Sequence, residues 1–347
     1  MKTRIKKFSF ALSATLLLAM TIFMSMSANV GTAAAASTKK VMQKVTIQLK
    51  WLPQAQFAGI YVAEAKGFFK KEGIDPTIIP GGPDMVIEQQ VMNGSADLGI
   101  TSMDSLMVNI DHGLPLVSVA QILQKSSNIL VVKKSSGITT PEQMKGKKIG
   151  TYGGSQQFQE LAFLQKYGLH ASDVNLVKQT PTMDQFLTGD IDVATGAIFN
   201  EYLILLESGL KAKDLRVFSF DRAGTGMLED TLIANRSWLQ QHRALAVKTV
   251  RAILEGWQYA IAHQNEATTI VMKNIEKGST TRKHQAMMLQ YIAPLIMPKG
   301  FKPNQIGSFN KAALQRTANI VYKFKEVSKP VVLSKVYDPT IQEQAMK

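Results

Sequence analysis

The 347 residues are 45% hydrophobic and 19% charged, the composition of a globular chain long enough for one large domain or two ordinary ones. The absence of cysteine excludes disulfide stapling, thiolate metal sites, a cysteine nucleophile and a lipid-modified N-terminal cysteine; the 5 histidines form no HxH or HxxxH pair. The formal charge of +14 is scattered, mostly as paired lysines, and with no arginine-rich helix or basic–aromatic stripe it reads as a solvated surface rather than a nucleic-acid face.

The chain opens with MKTRIKK, whose four cations leave +10 of that +14 to the remainder. An uncharged stretch follows from Phe8 to Thr38, with LLLAMTIF at its centre and AAAAS near its end. Ala34 and Ala36 supply a small-x-small pattern, so residues 1–36 read as an export signal cleaved near Ala36, which places the mature protein in the periplasm and not among lipoproteins. The competing reading is a membrane anchor, because the stretch is long enough to span; its short apolar centre and alanine-rich end favour cleavage.

VTIQLKW (45–51) alternates as a strand, and 56–71 carries a helical apolar pattern closed by Gly73. IDPTIIP is a strand, GGPD a turn with Asp84 as a plausible N-cap, 85–93 a helix, ADLGIT a strand, 102–112 a helix and LVSVAQI a strand. A second unit starts at NILVVKK (128–134). Thr140–Pro141 marks a helix start, KKIGTYG is a strand, a helix runs to Gly168, VNLVKQT is a strand, TMDQFLTG a short helix and DVATGAI a strand leading to a helix over 200–208. Strands separated by helices predict an α/β fold with mostly parallel sheets.

The two units echo each other. VIEQQVMNGSADLGIT places Gly94 three residues before Asp97, and MDQFLTGDIDVATGAI places Gly189 three before Asp192, each entering a strand. A C-cap glycine and a tight turn account for both, and the repetition predicts two similar lobes. From 237 to 263, Trp238, Val247, Val250, Leu254, Trp257 and Ile261 recur at helical spacing and read as core. Helices follow at 264–276, across KHQAMMLQYIAPLI and near 303–323. The chain leaves the second unit around Phe218–Gly226, which makes that unit an insertion: 37–126 forms the first part of lobe 1, 127–220 lobe 2, and 221–347 the return to lobe 1. Two crossings imply a hinge and an interlobe cleft, a favoured ligand position.

No catalytic constellation or cofactor motif appears. Gly150, Gly153 and Gly154 lack dinucleotide-fingerprint spacing, no GK[ST] ends a P-loop, and Ser155 has no nucleophile-elbow context. Asp97 and Asp192 read as turn residues rather than paired acid–base carboxylates. The binding candidates cluster at strand ends. Trp51 stands where Pro53 forces the chain out of the sheet, and its indole can stack on a flat ligand or lid the core. Gln54 and Gln56 add neutral donors and acceptors. Gly81 and Gly82 allow close backbone approach. Ser102 and Met103 follow one strand, with Asp104 a possible cap; Asn200, Glu201 and Tyr202 follow another, where Glu201 could accept from an amino group or be solvated. The Gly153–Gly154–Ser155 turn offers free backbone N–H groups or forms an ordinary βα connection, and with Tyr152 it would close on a ligand from the second unit.

LKWLPQAQFAGIYVAEAKGFFKKEGI, PGGPD, GSADLGI and DVATGAIFNEY together resemble the extracytoplasmic solute-binding proteins of ABC transporters in the NMT1/THI5-like group, over roughly residues 45–270. The resemblance implies a type II-like periplasmic-binding-protein fold: two α/β lobes, a hinge and a cleft that closes on a small-molecule ligand. It also implies delivery to a membrane permease by a monomer, with no enzyme activity. The tryptophan-containing opening and the aromatic–Asn pattern resemble importers of thiamine pyrimidine precursors. The match departs in two places: Glu201 directly follows Asn200, with Tyr202 where the family glutamate falls, and QAQFAG replaces an Asn-x-Asp-His-x-Pro pattern. PQAQFAG also resembles riboflavin-binding members. Other relatives bind sulfonates, taurine or nitrate, and these use arginine or lysine; here only Arg222 lies near the return crossing. Fungal enzymes of this fold use a cysteine-rich segment that this chain lacks. A sensory module presenting a solute to a membrane receptor would use the same cleft.

Overall fold

A computed structural model describes residues 41–154 and 156–347; the export-signal segment with its cleavage point near Ala36, and Ser155 of the glycine turn, lie outside the described residues. The described chain builds two five-stranded sheets. The first contains β1 (Gln43–Gln48), β2 (Ile74–Ile79), β3 (Leu98–Thr101), β4 (Leu116–Gln121) and, from much later in the chain, β10 (Thr231–Asn235), in the order β2-β1-β3-β10-β4. The second contains β5 (Asn128–Lys133), β6 (Lys148–Thr151), β7 (Asn175–Lys178), β8 (Val193–Ala197) and β9 (Leu215–Ser219), in the order β7-β6-β8-β5-β9. In each sheet one strand runs against its neighbours, β10 between β3 and β4 and β5 between β8 and β9, while the others are parallel. The chain passes from the first sheet to the second between β4 and β5, and returns between β9 and β10. β9 itself carried no clear sequence pattern and was not anticipated.

The glycine–aspartate echo has one physical cause in both sheets. Gly94 and Gly189 take positive φ, 77° and 90°, ending the preceding helix. Asp97 then donates its N–H to Thr46 O at 3.0 Å while its Oδ2 accepts from Thr46 N at 2.8 Å. Asp192 repeats this on Lys148, with 2.9 Å for both bonds. Each carboxylate satisfies an N–H of the neighbouring parallel strand, mid-strand at Thr46 and at the strand start at Lys148, so neither aspartate is free for acid–base chemistry.

Three predicted helices change on folding. The run over 56–71 breaks at Gly67, which adopts φ 74°, giving helices Ala58–Ala65 and Phe68–Glu72. Asp84 caps nothing, because the next helix begins at Ile87 after Val86. The run over 237–263 divides at His242 into Arg236–Gln241 and Arg243–Ala262. The last of these fixes the site from behind. A Cβ on Gly256 would lie 2.0 Å from Gly59 O, and one on Gly59 would lie 2.3 Å from the Trp257 ring. The two glycines therefore let helices Ala58–Ala65 and Arg243–Ala262 meet backbone to backbone, with Trp257, Phe57 and Tyr61 buried between them and the first sheet. That packing pins the loop over 49–57. Among the described residues no helix is long and apolar enough to cross a membrane.

Candidate functional site

Beyond β1 the chain is held before it can wander. Leu49 N donates to Ile79 O at 2.9 Å and Gly81 N to Trp51 O at 3.0 Å, and Gln48 Nε2 donates to Pro80 O at 3.0 Å. A Cβ on Gly81 would lie 2.2 Å from Leu49 O, so Gly81 is a packing glycine that brings 79–81 against 49–51, not a ligand approach. Gly82 faces open space and lines a cavity. Between these anchors Trp51 is half-buried and borders two cavities, of about 340 Å3 and 390 Å3.

The smaller cavity is bordered by Trp51, Gln54, Asn200, Glu207, His284 and Gln285 among others. His284 was not anticipated, and it organises this side: Nδ1 lies 2.9 Å from Glu207 Oε2 and Nε2 lies 3.1 Å from Asn200 Oδ1, so both ring nitrogens face acceptors. Asn200 spends its Nδ2 on Glu201 Oε1 at 2.9 Å. Gln285 Oε1 accepts from Ala55 N at 2.6 Å, tying helix Arg282–Ile296 to the tryptophan loop. Glu201 turns back onto its own strand, its Oε2 accepting from Ala197 N at 2.7 Å; burial pushes its pKa up against the pull of these bonds. Glu201 thus orients Asn200 and borders neither cavity.

The larger cavity is bordered by Lys50, Trp51, Glu88, Ser102, Asp104 and Glu229, with Asn128 reaching it from β5 and Gln159 from the helix Gln156–Lys166. Its electrostatics centre on two consecutive acids in the return crossing. Asp230, held at φ 31°, takes Lys50 Nζ at 2.6 Å and both Nε2 bonds of Gln56 at 3.0 and 2.9 Å. Burial weighs against the Lys50 ammonium, but Asp230 and Glu229 outweigh it and its pKa is raised. Glu229 accepts from Ser126 Oγ at 2.9 Å, Ser127 N at 2.8 Å, Ser127 Oγ at 2.5 Å and Asn128 Nδ2 at 2.8 Å. Ser126 and Ser127 sit on the outward crossing and Asn128 opens β5, so one carboxylate joins the two connections between the sheets. Burial pushes its pKa up, while Lys50 and Ser127 work against that.

The structure brings Trp51, Gln54, Gly82, Ser102 and Asn200 to these cavities. It does not bring Gln56, which is 5% exposed and committed to Asp230 and to Gln54 Nε2 at 2.6 Å. Met103 is fully buried, because the first helical residue after β3 points into the core beneath Leu228. Tyr202 is buried against Tyr291, ring centroids 6.1 Å apart. Tyr152 accepts from Gln179 Nε2 at 2.9 Å, and burial raises its phenol pKa; Gly153 and Gly154 adopt φ 74° and 59° in the turn beyond it. None of these three borders either cavity, and Arg222 is exposed in the short helix Phe220–Ala223. Ser155 lies outside the described residues. Lys50, Glu88, Glu229, His284 and Gln285 were missed: they carry no motif, and the last two stand more than two hundred residues from Trp51. Among the described residues there is no group of three or more histidine and acidic side chains able to hold a metal ion.

The chain is 29% identical over 228 residues to a Haemophilus influenzae protein named for thiamine biosynthesis, covering 65% of this chain and 71% of that protein. It is 30% identical over 234 residues to 4-amino-5-hydroxymethyl-2-methylpyrimidine phosphate synthase THI12 of Saccharomyces cerevisiae, covering 63% and 67%. Its fold is similar to the periplasmic aliphatic sulphonate binding protein SsuA of Escherichia coli, with TM-score 0.67, 21% identity, and coverage of 86% of this chain and 92% of that one. A family model described as NMT1/THI5 like matches residues 54–267, more than half of the sequence, and the chain belongs to that family.

Proposed function

We propose that the protein is the extracytoplasmic solute-binding component of an ABC importer, exported across the cytoplasmic membrane and delivering a small ligand to a membrane permease without a chemical step. In this reading the two sheets are the cores of two lobes, with residues 37–126 and 221–347 in one and 127–220 in the other. The paired crossings at 122–127 and 220–230 form the hinge, and Glu229 sets its resting geometry. The ligand is a planar nitrogenous compound, of the size of a thiamine pyrimidine precursor or a flavin ring. Trp51 stacks on it, and Gln54 and Asn200 meet its polar edge, with His284 holding Asn200 in place. Tyr152 and the Gly153–Ser155 turn close from the second lobe.

The observation that carries this reading is Trp51, a half-buried indole that borders both cavities, with the neutral side chains of Gln54, Asn200 and Gln285 beside it in the smaller one. A second reading, an aliphatic sulfonate or a similar anion, draws support from the fold shared with SsuA and from Lys50 in the larger cavity. Against it, no arginine among the described residues borders either cavity, and the Lys50 ammonium is already held by Asp230 at 2.6 Å. Calorimetric titration of riboflavin, 4-amino-5-hydroxymethyl-2-methylpyrimidine and ethanesulfonate separates the two. A flat heterocycle that binds and is weakened about tenfold or more by Trp51→Ala supports the first reading. Ethanesulfonate binding that is indifferent to Trp51→Ala establishes the second.

A further inference from the structure

The larger cavity holds more negative charge than its own side chains can use. Glu88 and Asp104 border it and are each only 3% exposed. Glu88 Oε1 accepts from Thr101 Oγ1 and Ser105 Oγ, both at 2.6 Å, and its Oε2 receives no hydrogen bond from a described residue. Asp104 accepts no side-chain or backbone hydrogen bond from any described residue, although it is almost wholly removed from bulk solvent. A buried carboxylate without a donor is costly unless the space it faces supplies one. Lys50 is the cation at hand; it is attracted by Asp104 at longer range, but its ammonium is in contact with Asp230 at 2.6 Å. Glu229 is saturated by the 126–128 segment, so it neither offers a donor nor needs one.

We propose that this cavity is a subsite for a cationic nitrogen, an ammonium group or a protonated ring amine, held between Glu88 and Asp104. The ligand is then two-ended, with a flat body against Trp51 and a charged nitrogen beyond it. This rests on the planar nitrogenous reading of the same site. Charge-assisted hydrogen bonds to two carboxylates out of bulk water give a cation a large advantage over a neutral isostere. Lys50, the like charge that would oppose it, is neutralised in place by Asp230.

The test is a matched pair of probes, 4-amino-5-aminomethyl-2-methylpyrimidine and its 5-hydroxymethyl counterpart, titrated calorimetrically at neutral pH. The aminomethyl compound should bind about tenfold or more tightly. Asp104→Asn and Glu88→Gln should each collapse that ratio towards one, with thermal melts confirming that both variants fold. A ratio near one in the wild type, a ratio that survives both substitutions, or no binding of the amine at millimolar concentration would overturn the subsite. Binding of both pyrimidines at equal strength removes the subsite and leaves the planar reading standing. Ethanesulfonate binding with both pyrimidines silent removes both.

Discussion

The two sheets share a scaffold and differ at its tips. Asp97 on Thr46 and Asp192 on Lys148 are the same joint built twice. The segments that follow β3 and β8 then diverge residue by residue. At the helix N-cap, Ser102 borders the larger cavity and Asn200 the smaller one. One residue on, Met103 is core whereas Glu201 binds its own strand. At the next position Asp104 faces a cavity and Tyr202 is core. Repetition therefore fixes where cavities open, and the residues at each tip decide what chemistry they present: a carboxylate at one, a carboxamide at the other, to which helix Arg282–Ile296 adds the His284 imidazole.

The helices that follow the corresponding strands β1 and β6 differ too. Ala58–Ala65 buries Ile60, Tyr61 and Val62, whereas Gln156–Lys166 buries Glu160 at 1% exposure, both of its oxygens without a partner among the described residues. Burial raises its pKa to about 8, with Thr151 and Thr195 pulling the other way, although neither makes a hydrogen bond to it. A carboxyl that is neutral when folded and ionised when unfolded binds more protons in the native state. Its contribution to stability is therefore fully present below the ordinary glutamate range and is lost as pH rises towards 8. Glu160→Gln should flatten that decline and melt higher than the wild type at pH 8, the largest effect expected here. Parallel melting curves for the two proteins from pH 5 to 8 would contradict it.

The glycine pair at 81–82 gives the next contrast. Gly81→Ala drives a methyl into Leu49 O and should destabilise by about 1–3 kcal/mol in urea titration. Gly82→Ala meets open space and should cost less than half of that. Equal costs would mean that the 79–81 clamp on the tryptophan loop is not the constraint described. Smaller effects are expected at the repeated joint. Asp97→Ala strands the partly buried Thr46 N–H, at about 1–2 kcal/mol, and Asp192→Ala strands the exposed Lys148 N–H at the low end of that range. A larger loss from the exposed joint would break the equivalence of the two sheets.

Much of this scaffold is legible in the sequence. Period-2 and apolar runs mark nearly every strand, the glycine–aspartate spacing marks both joints, and Pro53 marks where Trp51 leaves the sheet. The site is legible only in part, for a physical reason. Which residue of a helix's first turn faces a cavity depends on how that helix docks, so Met103 reads as a pocket wall and Asp104 as a cap, whereas the structure buries Met103 in the core and turns Asp104 to a cavity. Gln56 looks like a ligand donor until Asp230, far along the chain, arrives to claim it. His284 and Gln285 sit mid-pattern in an ordinary amphipathic helix, and nothing local distinguishes them from core or surface.

The account stands on a flat nitrogenous ligand at Trp51. Mass spectrometry of small molecules released from the purified full-length protein tests it most directly. A stoichiometric planar nitrogen compound, lost from Trp51→Ala, is the predicted result. A bound sulfonate retained by Trp51→Ala would contradict it.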